Sequence, residues 1–181
     1  MKSATRKLFY AFAVLALAGV LSIVLGANTR LRAGNSDEGD GFGGHGLNGT
    51  WYVKVNLSDC QTGALIGNPF YSYLAFAGNG TMAENTENPG FAVGQRSSGL
   101  GIWNRAGWRV YNAKSVAFIF FTTPPAPPMN PGFTAGTQTI AQQIRLEGPD
   151  QFSSKATIQF ADSTGAVYRN GCAVATATRF K

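Results

Sequence analysis

From residue 49 onward the chain runs in short alternations of apolar and polar positions, broken by turn residues. Over 50–58, Trp51, Val53, Val55 and Leu57 share one face and Tyr52, Lys54 and Asn56 the other, which is the two-residue period of a half-buried strand. Segment 70–77 predicts a second strand, and Gly78-Asn79-Gly80 a hairpin turn, because an Asn-Gly step supplies the positive φ angles that such turns require. A third strand over 81–86 comes next, and then a polar loop over 87–95. Segments 96–104 and 108–113 predict two strands around Arg105-Ala106-Gly107, and 115–122 a further one that is apolar on both faces. Segment 134–146 aligns Ile140, Ile144 and Leu146, and Gly148-Pro149-Asp150 turns it. Over 152–160, Phe152, Ala156, Ile158 and Phe160 alternate with Ser153, Lys155, Thr157 and Gln159, and after a turn at 162–165 the last strand covers 167–180.

The pattern therefore predicts an all-β domain of eight or nine sequential antiparallel strands, and no segment after residue 33 has helical spacing. A row of strands leaves two unpaired edges, and the simplest way to remove them is to close the sheet. The expected fold is a closed antiparallel up-and-down β-barrel of about eight strands, with a two-sheet sandwich as the alternative.

Closure makes a numerical demand. The first and last strands must pair antiparallel, so the positions of facing residues must add to a constant. Cys60 and Cys172 add to 232, and Trp51 and Arg179 add to 230, so both pairs fit one register within two residues. Parity agrees: Trp51 lies on the face of Val53 and Val55, and Arg179 on that of Gly171, Ala173, Ala175 and Ala177, whose small side chains suit a crowded interior. The two cysteines fall on the other face, where they are expected to form a disulfide.

Gly49-Thr50-Trp51-Tyr52 at the start of the first strand, with Arg179 at the end of the last, resembles the calycin superfamily of lipocalins, avidins and bacterial lipocalin-like barrels. The resemblance implies that Trp51 packs across one closed end of the barrel with the Arg179 guanidinium over its ring, a contact of about 0.5–2 kcal/mol. It also implies an interior that holds a small hydrophobic ligand at the opposite end.

Ahead of the strands, residues 8–27 form an apolar run preceded by Lys2, Arg6 and Lys7. Such a run enters a membrane with its positive end in the cytoplasm, so the chain downstream of it is expected on the far side. Residues 1–27 are expected to be a signal peptide or a signal anchor, and only an uncleaved run would tether the protein to the membrane. Residues 28–48 are Gly-rich and poor in large apolar side chains, as a flexible linker is, and 49–181 are the barrel domain. The location expected is secreted or periplasmic, or membrane-anchored with the barrel outside.

The net charge of +6 would fit nucleic-acid binding if it lay on the domain. Residues 1–33 hold five Lys or Arg and no acid, whereas the remainder carries ten Lys or Arg against nine Asp or Glu. The basic character belongs to the leader, and no nucleic-acid partner is expected. No catalytic constellation is legible either. His45, the single histidine, sits in the Gly-rich linker without a rigid partner, and it cannot build a zinc site with two paired cysteines. Asp37, Glu38 and Asp40 lack the spacing of a calcium loop, and Gly99-Leu100-Gly101 does not open a helix. No metal or other cofactor is expected.

What remains is aromatic: Phe70, Tyr73, Phe76, Trp103, Tyr111, Phe118 and Phe120 are the candidate ligand-binding residues, against a background of ordinary core packing. The Pro-rich segment 124–132 reads as a lid at the barrel mouth or as a rigid connector. Three functions stay open: a binder of a small hydrophobic ligand; a cyclase- or isomerase-type barrel such as allene oxide cyclase or dirigent proteins; and a ligand-free structural or adhesion domain. A carboxylate or tyrosine deep in the pocket, such as Glu84 or Tyr111, would favour the second.

Overall fold

A computed structural model describes residues 46–125 and 132–181. The leader, most of the linker with His45 and its acidic neighbours, and most of the Pro-rich segment lie outside these residues. The described part contains eight strands: β1 (Gly49–Ser58), β2 (Leu65–Phe76), β3 (Thr81–Glu87), β4 (Gly99–Gly107), β5 (Val110–Ile119), β6 (Gly136–Gly148), β7 (Gln151–Asp162) and β8 (Val167–Arg179). Each is hydrogen-bonded antiparallel to the next, and β8 returns to β1, so the sheet is a closed barrel. The sandwich alternative is thereby excluded.

The register across the closure is constant from Trp51↔Arg179 to Ser58↔Cys172. Cys60 lies two residues beyond that ladder, and its disulfide to Cys172 joins Cα atoms 5.2 Å apart. Among the described residues there is no ninth strand. Segments 108–113 and 115–122 merge into β5, because Lys114 is an outward position in a regular alternation and not a break between strands. The preceding turn moves with it, to Trp108-Arg109, where Arg109 takes a φ of 59°.

The interior is packed in two aromatic layers. At the end where β1 begins, Trp51, Phe152, Trp103, Tyr111, Phe76, Ile144 and Leu146 form one buried cluster, with the Trp51 and Phe152 ring centroids 4.9 Å apart. Leu47, within segment 28–48, is also fully buried there, and its carbonyl accepts the Trp51 indole N–H at 2.9 Å. Burying side chains of this size contributes about 1.5–3 kcal/mol each. The long loops all leave from the other end. There Phe133, Phe160, Ile158 and Ile119 are buried together, and Phe91 from the β3–β4 loop stacks on Phe133 with ring centroids 4.1 Å apart.

Arg179 closes the first layer. Its guanidinium carbon lies 4.2 Å from the Trp51 ring centroid, and Nη2 donates to Gly46 O at 2.9 Å and to Pro149 O at 2.9 Å. Nη1 donates to Asn48 O, and Nε to Asp150 Oδ1 at 3.2 Å. One side chain thus ties the approach to β1, the β6–β7 turn and β8. Gly49 is required by this arrangement: it has a φ of +116°, and a Cβ there would stand 2.9 Å from Arg179 Nη1.

Candidate functional site

Between the aromatic layers the inward positions become small or polar: Ser72 on β2, Glu84 on β3, Ser115 and Ala117 on β5, Gln138 on β6, Ser154 on β7, and Ala173 and Ala175 on β8. A layer of small side chains cannot fill an eight-stranded barrel, and an internal cavity of about 60 Å³ results. Val53, Val55, Phe70, Leu74, Ile140 and Ile158 give it an apolar wall. Ser72, Glu84, Thr86, Asn88, Gln138, Gln142 and Ser154 give it a polar one.

The polar wall is built around a buried ion pair. Glu84 and Arg96 have side chains only 3% and 5% exposed, and Arg96 Nη2 donates to Glu84 Oε1. The other carboxylate oxygen accepts from the Thr86 hydroxyl at 2.8 Å, and Thr86 is bonded in turn to Ser72 at 2.8 Å. Arg96 Nε donates to Gln138 Oε1, and Nη1 to Ser97 O at 3.0 Å. Glu84 owes its place to the residue facing it across β3–β4: a Cβ on Gly99 would lie 2.6 Å from Glu84 Cγ, so any larger residue at 99 would displace the carboxylate. Arg96 comes from the β3–β4 loop, and the next residue back, Gln95, fastens that loop. Gln95 accepts from the Ala92 N–H at 3.0 Å and donates to Phe121 O at 2.7 Å and to the Thr123 hydroxyl at 3.2 Å.

Four uncharged groups on the cavity wall have no side-chain hydrogen bond among the described residues: the Asn88 and Gln138 amide nitrogens, the Gln142 amide and the Ser154 hydroxyl. Gln142 pairs with Ala156, so Ser154, two residues on, is its diagonal neighbour across β6–β7.

The aromatic candidates separate by parity. Phe70 lines the cavity, while Phe76, Trp103 and Tyr111 are packed into the Trp51 layer and form its floor. Tyr73, Phe118 and Phe120 stand on the outer wall, 45%, 62% and 61% exposed, and do not meet the others. Inward positions on β2 are even-numbered and on β5 odd-numbered, which turns Tyr73 and Phe118 outward. Of the two residues that would mark a cyclase- or isomerase-type pocket, Glu84 lines the cavity and Tyr111 does not. Among the described residues no group of three His, Cys, Asp or Glu side chains could hold a metal. A scan against protein-family models finds no match for this chain, and neither does a search of curated proteins.

Proposed function

We propose that this protein is an exported, calycin-like barrel that binds a small and mainly apolar ligand in the cavity between its two aromatic layers. One observation carries the reading. In an interior otherwise packed by large side chains, the middle layer holds a cavity with an apolar wall and, facing it, polar groups that lack protein partners. Buried polar groups are nearly always satisfied, so those left open mark a place for a guest or for water. The Trp51–Arg179 contact supports the calycin-like relationship. The disulfide between Cys60 and Cys172 supports an oxidising compartment outside the cytoplasm.

As it stands the cavity has room for about four water molecules, or a guest of a few heavy atoms. A second reading, a filled barrel with a structural or adhesive role, is favoured by this small volume. The two are separated by titrating the full-length oxidised protein with 1-butanol and following backbone amide shifts. Binding predicts saturable shifts centred on Ser154 and Ala175, and their loss in Ala175→Leu, whose added atoms fill the cavity. Shifts that do not saturate, or that persist unchanged in Ala175→Leu, overturn the binding reading in favour of the filled barrel.

A further inference from the structure

We infer that the polar group this cavity recognises is uncharged, a hydroxyl or carboxamide, and that carboxylates and ammonium groups are rejected; this deepens the binding reading above and rests on it. One full charge stands on the cavity wall, Glu84, and it is already neutralised by Arg96, which pairs with it without lining the cavity itself. Both carboxylate oxygens are occupied, one by Arg96 and one by Thr86. The guanidinium is held at all three of its nitrogens, by Gln138, Ser97 O and Glu84.

A third charge entering the cavity would have no counterpart. A carboxylate would bring a second negative charge beside Glu84 while the neighbouring cation, Arg96, is already neutralised and does not line the cavity. An ammonium would bring a second positive charge to share the one counter-charge, Glu84, that already neutralises the deeply buried Arg96. Either guest leaves one net charge uncompensated out of water, which costs several kcal/mol. A neutral guest meets no such barrier. The groups that stand open are themselves neutral: Gln138, 3% exposed, has a free amide N–H to donate, Ser154 donates or accepts, and Gln142 does both. A hydroxyl or carboxamide replaces the hydrogen bonds of water at these positions while its carbon tail lies against Val53, Val55, Phe70 and Ile158.

The closest test uses four probes of nearly equal size, 1-butanol, butyramide, butyrate and butylammonium, titrated into the full-length oxidised protein with the Ser154 and Ala175 amide shifts as readout. The expected result is saturable binding of butanol and butyramide, with butyrate and butylammonium at least about tenfold weaker. Equal or tighter binding of either ion overturns the inference and leaves the binding reading intact. Binding by none of the four sinks the binding reading itself. In Glu84→Gln the guanidinium loses its counter-charge, so butyrate should rise above butanol. A folded Glu84→Gln protein with the original ranking also overturns the inference. Should that variant fail to fold, the four-probe ranking on the unaltered protein decides alone.

Discussion

Removing the disulfide perturbs closure without touching the interior, because Cys60 is exposed and Cys172 lies on the outer face of β8. The bridge joins residues 112 apart in sequence. On the chain-entropy model a loop of that length removes from the unfolded ensemble about 4.8 kcal/mol of freedom at 25 °C. Replacing both cysteines by serine should therefore lower the urea-derived unfolding free energy by about 4–5 kcal/mol, and the melting temperature of a domain this size by roughly 15–20 °C. The origin of the loss is as telling as its size. The β1–β8 ladder and the Trp51–Arg179 contact do not run through the bridge and are expected to persist without it, so the loss should arise in the unfolded chain. Refolding should slow and carry most of it, unfolding should change little, and the denaturant slope should rise as the unfolded chain expands. Stopped-flow chevrons of the oxidised and Cys60→Ser/Cys172→Ser proteins read all three quantities. A loss under about 1.5 kcal/mol, or one carried by faster unfolding, would show that the bridge does not span a barrel closed independently of it.

Three further outcomes rest on the same geometry. Arg179→Ala removes the cation–π contact and several hydrogen bonds, and should cost about 2–4 kcal/mol in urea unfolding, with loss of the Trp51 near-ultraviolet signal; Arg179→Lys should recover less than half, because an ammonium cannot reproduce the fork. Glu84→Leu alone should cost about 3–5 kcal/mol by stranding Arg96, whereas Glu84→Leu combined with Arg96→Met should recover most of it; a double variant no more stable than the single one would contradict the pairing. Acid should weaken the fold through three turn aspartates held below the ordinary carboxylate range: Asp59 by the Thr62 backbone N–H and hydroxyl, Asp162 by the Thr164 hydroxyl and N–H, and Asp150 by the Lys181 ammonium with help from Arg179. Depressed values stabilise above the unfolded pKa, so the urea midpoint should be steady from about pH 5 to 7 and fall below about pH 4, and Asp59→Asn should flatten part of that fall.

Closure is legible in the chain because it rests on two long-range coincidences of position, Cys60 with Cys172 and Trp51 with Arg179, that a constant register must satisfy. The turn at Trp108-Arg109 is not, because its positive φ falls on an arginine where glycine is the usual signal. Parity carries more than hydrophobicity for the site. Tyr73 and Phe118 resemble Phe70 in composition, yet the strand alternation alone turns them outward. The same alternation puts Ser72, Glu84, Gln138 and Ser154 inward, a polar residue on the apolar face of each of four strands. Alternation does not supply Arg96, which the pattern makes the first residue of a strand. The strand begins at Gly99, and Arg96 reaches the interior from a loop whose path depends on Gln95 and the Phe91–Phe133 stack. Gly99 signals only the lack of a phosphate cradle in the linear pattern, and its actual use, making room for a facing carboxylate, emerges once the β3–β4 register is known.

A neutral guest in the middle layer of this barrel is best tested by locating one there. Intermolecular NOEs recorded on the full-length oxidised protein with butyramide should connect the probe's methyl group to Val53, Val55 and Ile158, and its amide protons to the Ser154 side chain. NOEs confined to the exposed outer wall around Leu100, Ile102 and Phe118, with none to Val53 or Ser154, would contradict it.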